Sequence, residues 1–230
     1  MTARPAAGGG RWVAVAPERV ERWIDGFAAR HGAVEATAAP DLVRLTAADG
    51  AVAECHVPFP PLAVPPGDRH GPPLASHAEG GDPVAALAAH ARRDRLVGVL
   101  LVRLGGYAAG VFDGERLVAS KVGSRQVHGR SAAGGWSQQR FARRREKQSS
   151  EALEAAADVA ARVLLPYAAE LEAVLLGGDR RAIDGVREDR RLAPLLALER
   201  APFLTVPDPR LAVLRETPGL FRAVRVRVLD

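Results

Sequence analysis

Cysteine occurs once in the 230 residues, at Cys55. A single thiol excludes an intramolecular disulfide, and with no CxxC or CxxxC partner it excludes a thiolate zinc site. It fits a reducing cytosol. Cys55 and His56 are adjacent, so a strand sends their side chains to opposite faces, and Cys55 reads as a small buried hydrophobe. Long apolar runs are missing too. The longest, Leu96–Val102, is interrupted by Gly98 and falls far short of the roughly 20 residues that span a bilayer. The opening MTARPAAGGGR has no apolar stretch of the kind a secretory signal requires. The expectation is a soluble, cytoplasmic protein with no membrane partner. Lysine is nearly absent: Lys121 and Lys147 are the only two among 32 basic residues. With abundant Ala, Gly and Pro, that skew reflects GC-rich coding rather than guanidinium chemistry. The basic isoelectric point therefore says less than the placement of the charge.

The placement is uneven. Lys121–Gln148, KVGSRQVHGRSAAGGWSQQRFARRREKQ, holds eight basic residues and one acid, Glu146, whereas the rest of the chain carries 24 basic residues and 26 acids. All of the chain's net +5 therefore lies in this stretch. Five cations fall between Arg140 and Lys147, a self-repelling density that a phosphate backbone relieves with counterion release. On a helix, Arg140, Arg143, Arg144 and Lys147 share a face at i, i+3, i+4, i+7, a stripe that can follow a backbone without reading bases. A solvated face would mix in more acids. Before the stripe, Gly134 and Gly135 allow positive φ and close backbone approach. Gln138 and Gln139 are neutral and poor bases, but their amides can orient water and their N–H groups can face an oxyanion. Such a tip suits hydrolysis of an already activated ester, where positioning supplies most of the help.

The length allows one large domain or two small ones. Pro17–Arg30 follows an unpatterned lead and reads as a helix, with Val20, Trp23, Ile24, Phe27 and Ala28 in one stripe. Strands at Leu42–Ala47 and Ala51–Val57 turn at Asp49-Gly50, giving a small α+β unit over 1–57. Residues 58–83 contain eight prolines and four glycines and read as a linker or long surface loop, its histidines solvated. A second unit, 84–230, starts with a helical stretch at Ala85–Arg92. Antiparallel strands follow at Leu96–Leu104, Tyr107–Phe112 and Arg116–Val122, and Arg125–Arg130 extends or repeats that pairing. Next come a loop over Ser131–Ser137, a long helix with Leu153, Ala156, Ala157, Ala160, Val163 and Leu164 on one face, and a buried strand at Leu171–Leu176. A helix from Asp179, a strand at Phe203–Val206, a helix at Arg210–Glu216 and a strand at Phe221–Leu229 close the chain. Strands first and helix–strand alternation after make an α/β (α+β) mixed sheet with packed helices.

The run VGSRQVHGRSAAGGWSQQRFARRREKQ resembles the signature of the Vms-like release factor family, in its bacterial, actinobacterial-type branch. The resemblance extends over roughly Leu96 to Asp230, through Leu175–Gly178 (LLGG) and Asp208–Leu211 (DPRL). It implies a ribonuclease H-like fold, as in the middle domain of class I release factors. It also implies a peptidyl-tRNA hydrolase of stalled ribosomes, for which the expectation is no cofactor. On that reading the glycine-rich loop enters the peptidyl transferase centre of the large subunit. The loop glutamine helps water attack the ester of peptidyl-tRNA, and the arginine helix lies on rRNA or the acceptor stem. Release factors carry contiguous Gly-Gly-Gln, and family relatives a pattern nearer Gly-Gly-x-Gln. Here Gly134, Gly135, Gln138 and Gln139 are the matching positions, with Gln138 favoured by register and Gln139 the alternative. Arg125, Arg130, Trp136, Arg140, Arg143, Arg144, Arg145 and Lys147 are the implied RNA contacts. Zinc-finger cysteines and ankyrin repeats of eukaryotic members are not in the chain.

Two rivals stand beside this reading. A metal-dependent tRNA-cleaving nuclease would place Asp or Glu on the first strands of such a fold. Leu96–Leu104 has none, while Asp113 and Glu115 flank a turn. A non-catalytic ribosome- or RNA-binding module would need the cations but not the glutamines. His128 reads as a structural or RNA-contacting residue, since nothing near it in sequence supplies an orienting carboxylate.

Overall fold

Alternating apolar residues, capped helix starts and glycine turns divide the chain into ten strands and seven α-helices among the described residues. The computed structural model describes residues 4–6, 9–63, 81–103, 105–124 and 137–229, with backbone alone at residue 4 and over 137–147. In order these are β1 (Arg4–Pro5), β2 (Arg11–Val15), α1 (Val20–His31), β3 (Val34–Ala38), β4 (Leu42–Ala47) and β5 (Val52–His56). Then come α2 (Pro83–Arg92), β6 (Leu96–Arg103), β7 (Gly106–Asp113) and β8 (Arg116–Ser124). The remainder is α3 (Ser137–Leu164), β9 (Ala173–Gly178), α4 (Arg180–Arg187), α5 (Ala193–Leu196), α6 (Leu211–Glu216), α7 (Pro218–Phe221) and β10 (Val224–Leu229).

Two compact units result, one of residues 1–93 with 219–230 and one of 94–218. The first is an antiparallel sheet in the order β1-β2-β10-β5-β4-β3. Its strands alternate strictly, so Val13, Val15, Val43, Leu45, Ala53, Cys55, Val224, Val226 and Val228 form one buried face. Val20, Ile24 and Phe27 of α1 and Leu87, Ala88 and Ala91 of α2 share that core. Pro83 fits the first turn of α2, where the Asp82 carboxylate accepts the Val84 N–H at 2.9 Å. Glu21 pairs with Arg92 between the two helices. At the β4–β5 turn the Asp49 carboxylate accepts the Ala51 N–H at 3.0 Å and meets His31 Nδ1 at 2.8 Å. Those bonds, the backbone one foremost, hold its carboxyl below the usual range.

The second unit is the mixed sheet. Its order is β8-β7-β6-β9, antiparallel except for β6 and β9, which run parallel. β6 is central and buried along Val97–Val102, as a strand covered on both faces must be. α3 makes the crossover to β9 and packs Ala156, Ala157, Ala160, Val163 and Leu164 with Ala109 and Val111 of β7. Small residues on both sides let the helix lie close to the sheet. Three antiparallel strands and a crossover to a parallel fourth form the order expected of a ribonuclease H-like sheet.

Several elements differ from the sequence reading. Before Pro17, Arg4–Pro5 and Arg11–Val15 form β1 and β2 on the sheet, and β3 adds a further strand. The expected division at residue 83/84 moves to 93/94, because α2 buries its apolar face in the first unit's core. The last strand also changes unit. β10 lies between β2 and β5, with Val226 opposite both Val13 and Cys55, so the chain's end completes the sheet begun at its start. Phe203–Val206 yields only an isolated bridge, Leu204 to Gly177. The Arg125–Arg130 strand lies outside the described residues.

Cys55 is fully buried on β5, beside Val226 of β10, and burial pushes its thiol up to about 12. The intact chain should therefore not react with Ellman's reagent under native conditions. Deleting residues 224–230 should expose the β5 edge and make Cys55 react at the rate of the denatured chain, read from reagent absorbance.

Candidate functional site

The part of the signature from Ser137 onward lies on one helix. α3 runs from Ser137 to Leu164 without a break, so the backbone at Gln138, Gln139, Arg140, Arg143, Arg144, Arg145 and Lys147 is helical. That is the geometry on which the i, i+3, i+4, i+7 basic stripe depends. The side chains of these seven residues lie outside the described residues, as do Arg125, His128, Arg130, Gly134, Gly135 and Trp136 entirely. At a rise of about 1.5 Å per residue, Gln138 stands about 22 Å along the helix axis from Leu153.

What positions this helix is clear in its C-terminal half. Leu153 reaches toward α4 at Gly185, where a Cβ would come within 2.6 Å of Leu153 Cδ1. Glycine there permits close helix–helix approach. Farther along, Arg191 bridges Asp158 of α3 at 2.8 Å and Asp189 at 2.6 Å. The Asp189 carboxyl is lowered by its bonds to the Arg191 side chain and N–H, and Arg191 is raised in turn. Each fully buried Val or Leu of the α3 stripe contributes about 1.5–3 kcal/mol. The exposed Arg191 pairs fix orientation more than they add energy.

Beside the start of this anchored half is a cleft of about 280 Å³, lined by Val102, Arg103, Ser149, Leu153, Asp179 and Arg181 among others. It sits at the carboxyl ends of parallel β6 and β9. Gly178 turns the chain there at φ 102°, where any Cβ would collide with the Val102 carbonyl. Asp179 then caps α4, accepting the N–H groups of Arg181 at 2.8 Å and Ala182 at 3.2 Å. Arg103 donates to the Val206 carbonyl at 2.9 Å and lies 3.6 Å from Asp208. Sequence reasoning noted the LLGG and DPRL runs but not this convergence of Arg103, Ser149 and Arg181. The Gly-Gly-Asp at a strand end was the available signal, because it marks a tight turn into a capped helix.

Among the described residues no three of His, Cys, Asp and Glu come together as metal ligands would. Among them, too, no helix is long and apolar enough to cross a membrane.

The chain is similar to several solved structures. An archaeal translation termination factor, aRF1, is 17% identical, with 77% of this chain and 51% of that one aligned at a TM-score of 0.44. The Vms1 mitochondrial localization core is 10% identical over 93% of this chain and 82% of that one, TM-score 0.40. Dom34 of S. cerevisiae, a translation termination-like factor involved in RNA quality control pathways, is 9% identical over 94% and 66%, TM-score 0.35. The chain spans about half the length of the archaeal factor. No curated protein matches it in sequence. The family model of the Actinobacteria/chloroflexi VLRF1 release factors matches residues 95–227, more than half of the chain, and the protein belongs to that family.

Proposed function

We propose that the protein is a peptidyl-tRNA hydrolase that rescues stalled ribosomes. Gln138, or Gln139 in the alternative register, positions the water that attacks the ester between nascent peptide and tRNA. Gly134 and Gly135 let the loop approach the reacting end closely, and Trp136 stacks on a base or anchors the loop. Arg140, Arg143, Arg144, Arg145 and Lys147, with Arg125 and Arg130, hold rRNA or the tRNA acceptor stem of the large subunit.

The observation that carries this reading is the continuity of α3. A helix anchored in the core from Leu153 onward delivers its first turn as a rigid extension. First-turn N–H groups have no carbonyl partner within a helix, and both glutamines fall in that turn. Those donors can face the oxyanion of the tetrahedral intermediate, where one such contact is commonly worth about 10²–10³ in rate. Cations so near a helix start oppose the helix dipole as well as each other, and a bound phosphate backbone relieves both. Family membership over residues 95–227 supports the same reading.

Peptide release from large subunits bearing radiolabelled peptidyl-tRNA tests the tip. Gln138→Ala removes the water-positioning amide and leaves the backbone N–H in place, so it should slow release by about 10²-fold while the variant still sediments with the subunits. Unchanged release in Gln138→Ala, Gln139→Ala and the double variant would mean that the loop is not catalytic. Changing Arg143, Arg144 and Arg145 together to Ala should weaken subunit binding and lower the slope of log K against log salt by about 2–3.

A further inference from the structure

The face of the first unit's sheet turned away from α1 and α2 is a second place where aromatic and cationic groups converge. Strict alternation puts Trp12 of β2, Arg225 and Arg227 of β10, Glu54 and His56 of β5 and Arg44 of β4 on this side, opposite the valine face. The register brings them together. Arg225 is directly across from His56, Arg227 lies across from both Trp12 and Glu54, and Glu54 lies across from Arg44. The Trp12 and His56 rings sit 5.1 Å apart at 53°, and the Arg225 guanidinium lies 4.6 Å over the Trp12 ring. Glu54 is held by Arg44 at 2.6 Å and has Arg227 at 3.7 Å. Two arginines thus face one carboxylate, and Arg225 has no ion pair among the described residues. His56 and Arg225 are both exposed.

We propose that this sheet face binds an unpaired stretch of RNA. Trp12 and His56 form the stacking surface, and Arg225 and Arg44 hold the phosphates, while Arg227 is engaged by the Gly9 carbonyl at 3.2 Å and by Glu54. The guanidinium over Trp12 marks a position where a base can stack, since a π-face accepts either partner. Partial desolvation of the ring against its neighbours and the Arg225 charge lower the His56 pKa, which favours the neutral imidazole that stacks as a ring. An antiparallel sheet presenting aromatics flanked by arginines suits splayed single-stranded bases and not a duplex, whose bases are already stacked. A peptide strand would instead add at an edge of the sheet. This inference concerns a surface separate from the Gln138 tip and does not depend on ester hydrolysis.

Fluorescence anisotropy with the full-length chain tests it, using a labelled oligouridine of about twelve nucleotides, a length within the usual single-strand site range. The chain carries Arg143→Ala, Arg144→Ala and Arg145→Ala, which weaken the other basic segment. Binding should persist in this background and exceed binding of a duplex of equal length. Trp12→Ala and Arg225→Gln should each weaken it by about tenfold, with Trp12→Phe restoring most of the loss, as expected for stacking. Thermal melting of Arg225→Gln should match the parent, because the substitution leaves the valine face untouched. Equal affinity in Trp12→Ala, Arg225→Gln and their parent would overturn the proposal. So would failure of oligouridine to bind the parent, which would point to a protein contact on this face.

Discussion

Whatever the basic signature does, it does at the end of a helix that is held elsewhere. α3 is one uninterrupted element, and its hold on the second unit comes from an alanine-rich stripe pressed against β7 and from Leu153 above Gly185. Alanine gives little burial per residue but allows close approach, and the Arg191 bridges to Asp158 and Asp189 fix the angle. The first turn of the helix is then continuous with the anchored half. Without that anchorage, a dense run of cations would have no preferred direction.

The remaining architecture supplies the platform for this hold. β6 is buried on both faces, β9 lies parallel to it, and α3 is the crossover that the parallel pair requires. The first unit solves a different problem, because its sheet buries one face only. Its alternation leaves the opposite face open, and that is where Trp12, His56 and the arginines of β10 collect. The same period-2 pattern that builds its core therefore also builds a polar and aromatic surface.

Much of this was legible in the sequence where signals are local. The β6–β7–β8 run, the long amphipathic helix and the Asp49-Gly50 turn all follow from periodicity and turn chemistry. What local pattern could not supply was partnership. VRVRVL at the C-terminus announces a half-buried strand, but nothing in those residues says that β2 and β5 receive it. β2 itself, RWVAV, is only five residues after a glycine run and gives little pattern until β10 pairs with it. Phe203–Val206 is apolar enough for a strand and yet makes only one bridge, since the prolines at 202 and 207 bracket it. At the candidate site, the charge argument supports a nucleic-acid clamp on its own, whereas the glutamine tip rests on family resemblance.

Ester hydrolysis and RNA cleavage leave different ends, so the tRNA itself gives the most direct test. Large subunits carrying peptidyl-tRNA are incubated with the full-length chain, and the 3′ ends of the tRNA and the carboxyl end of the peptide are determined. Attack by water on the ester predicts intact tRNA with a complete CCA end and a free 3′ hydroxyl, together with a peptide ending in a free carboxylate. Peptide still joined to a fragment of tRNA would contradict it.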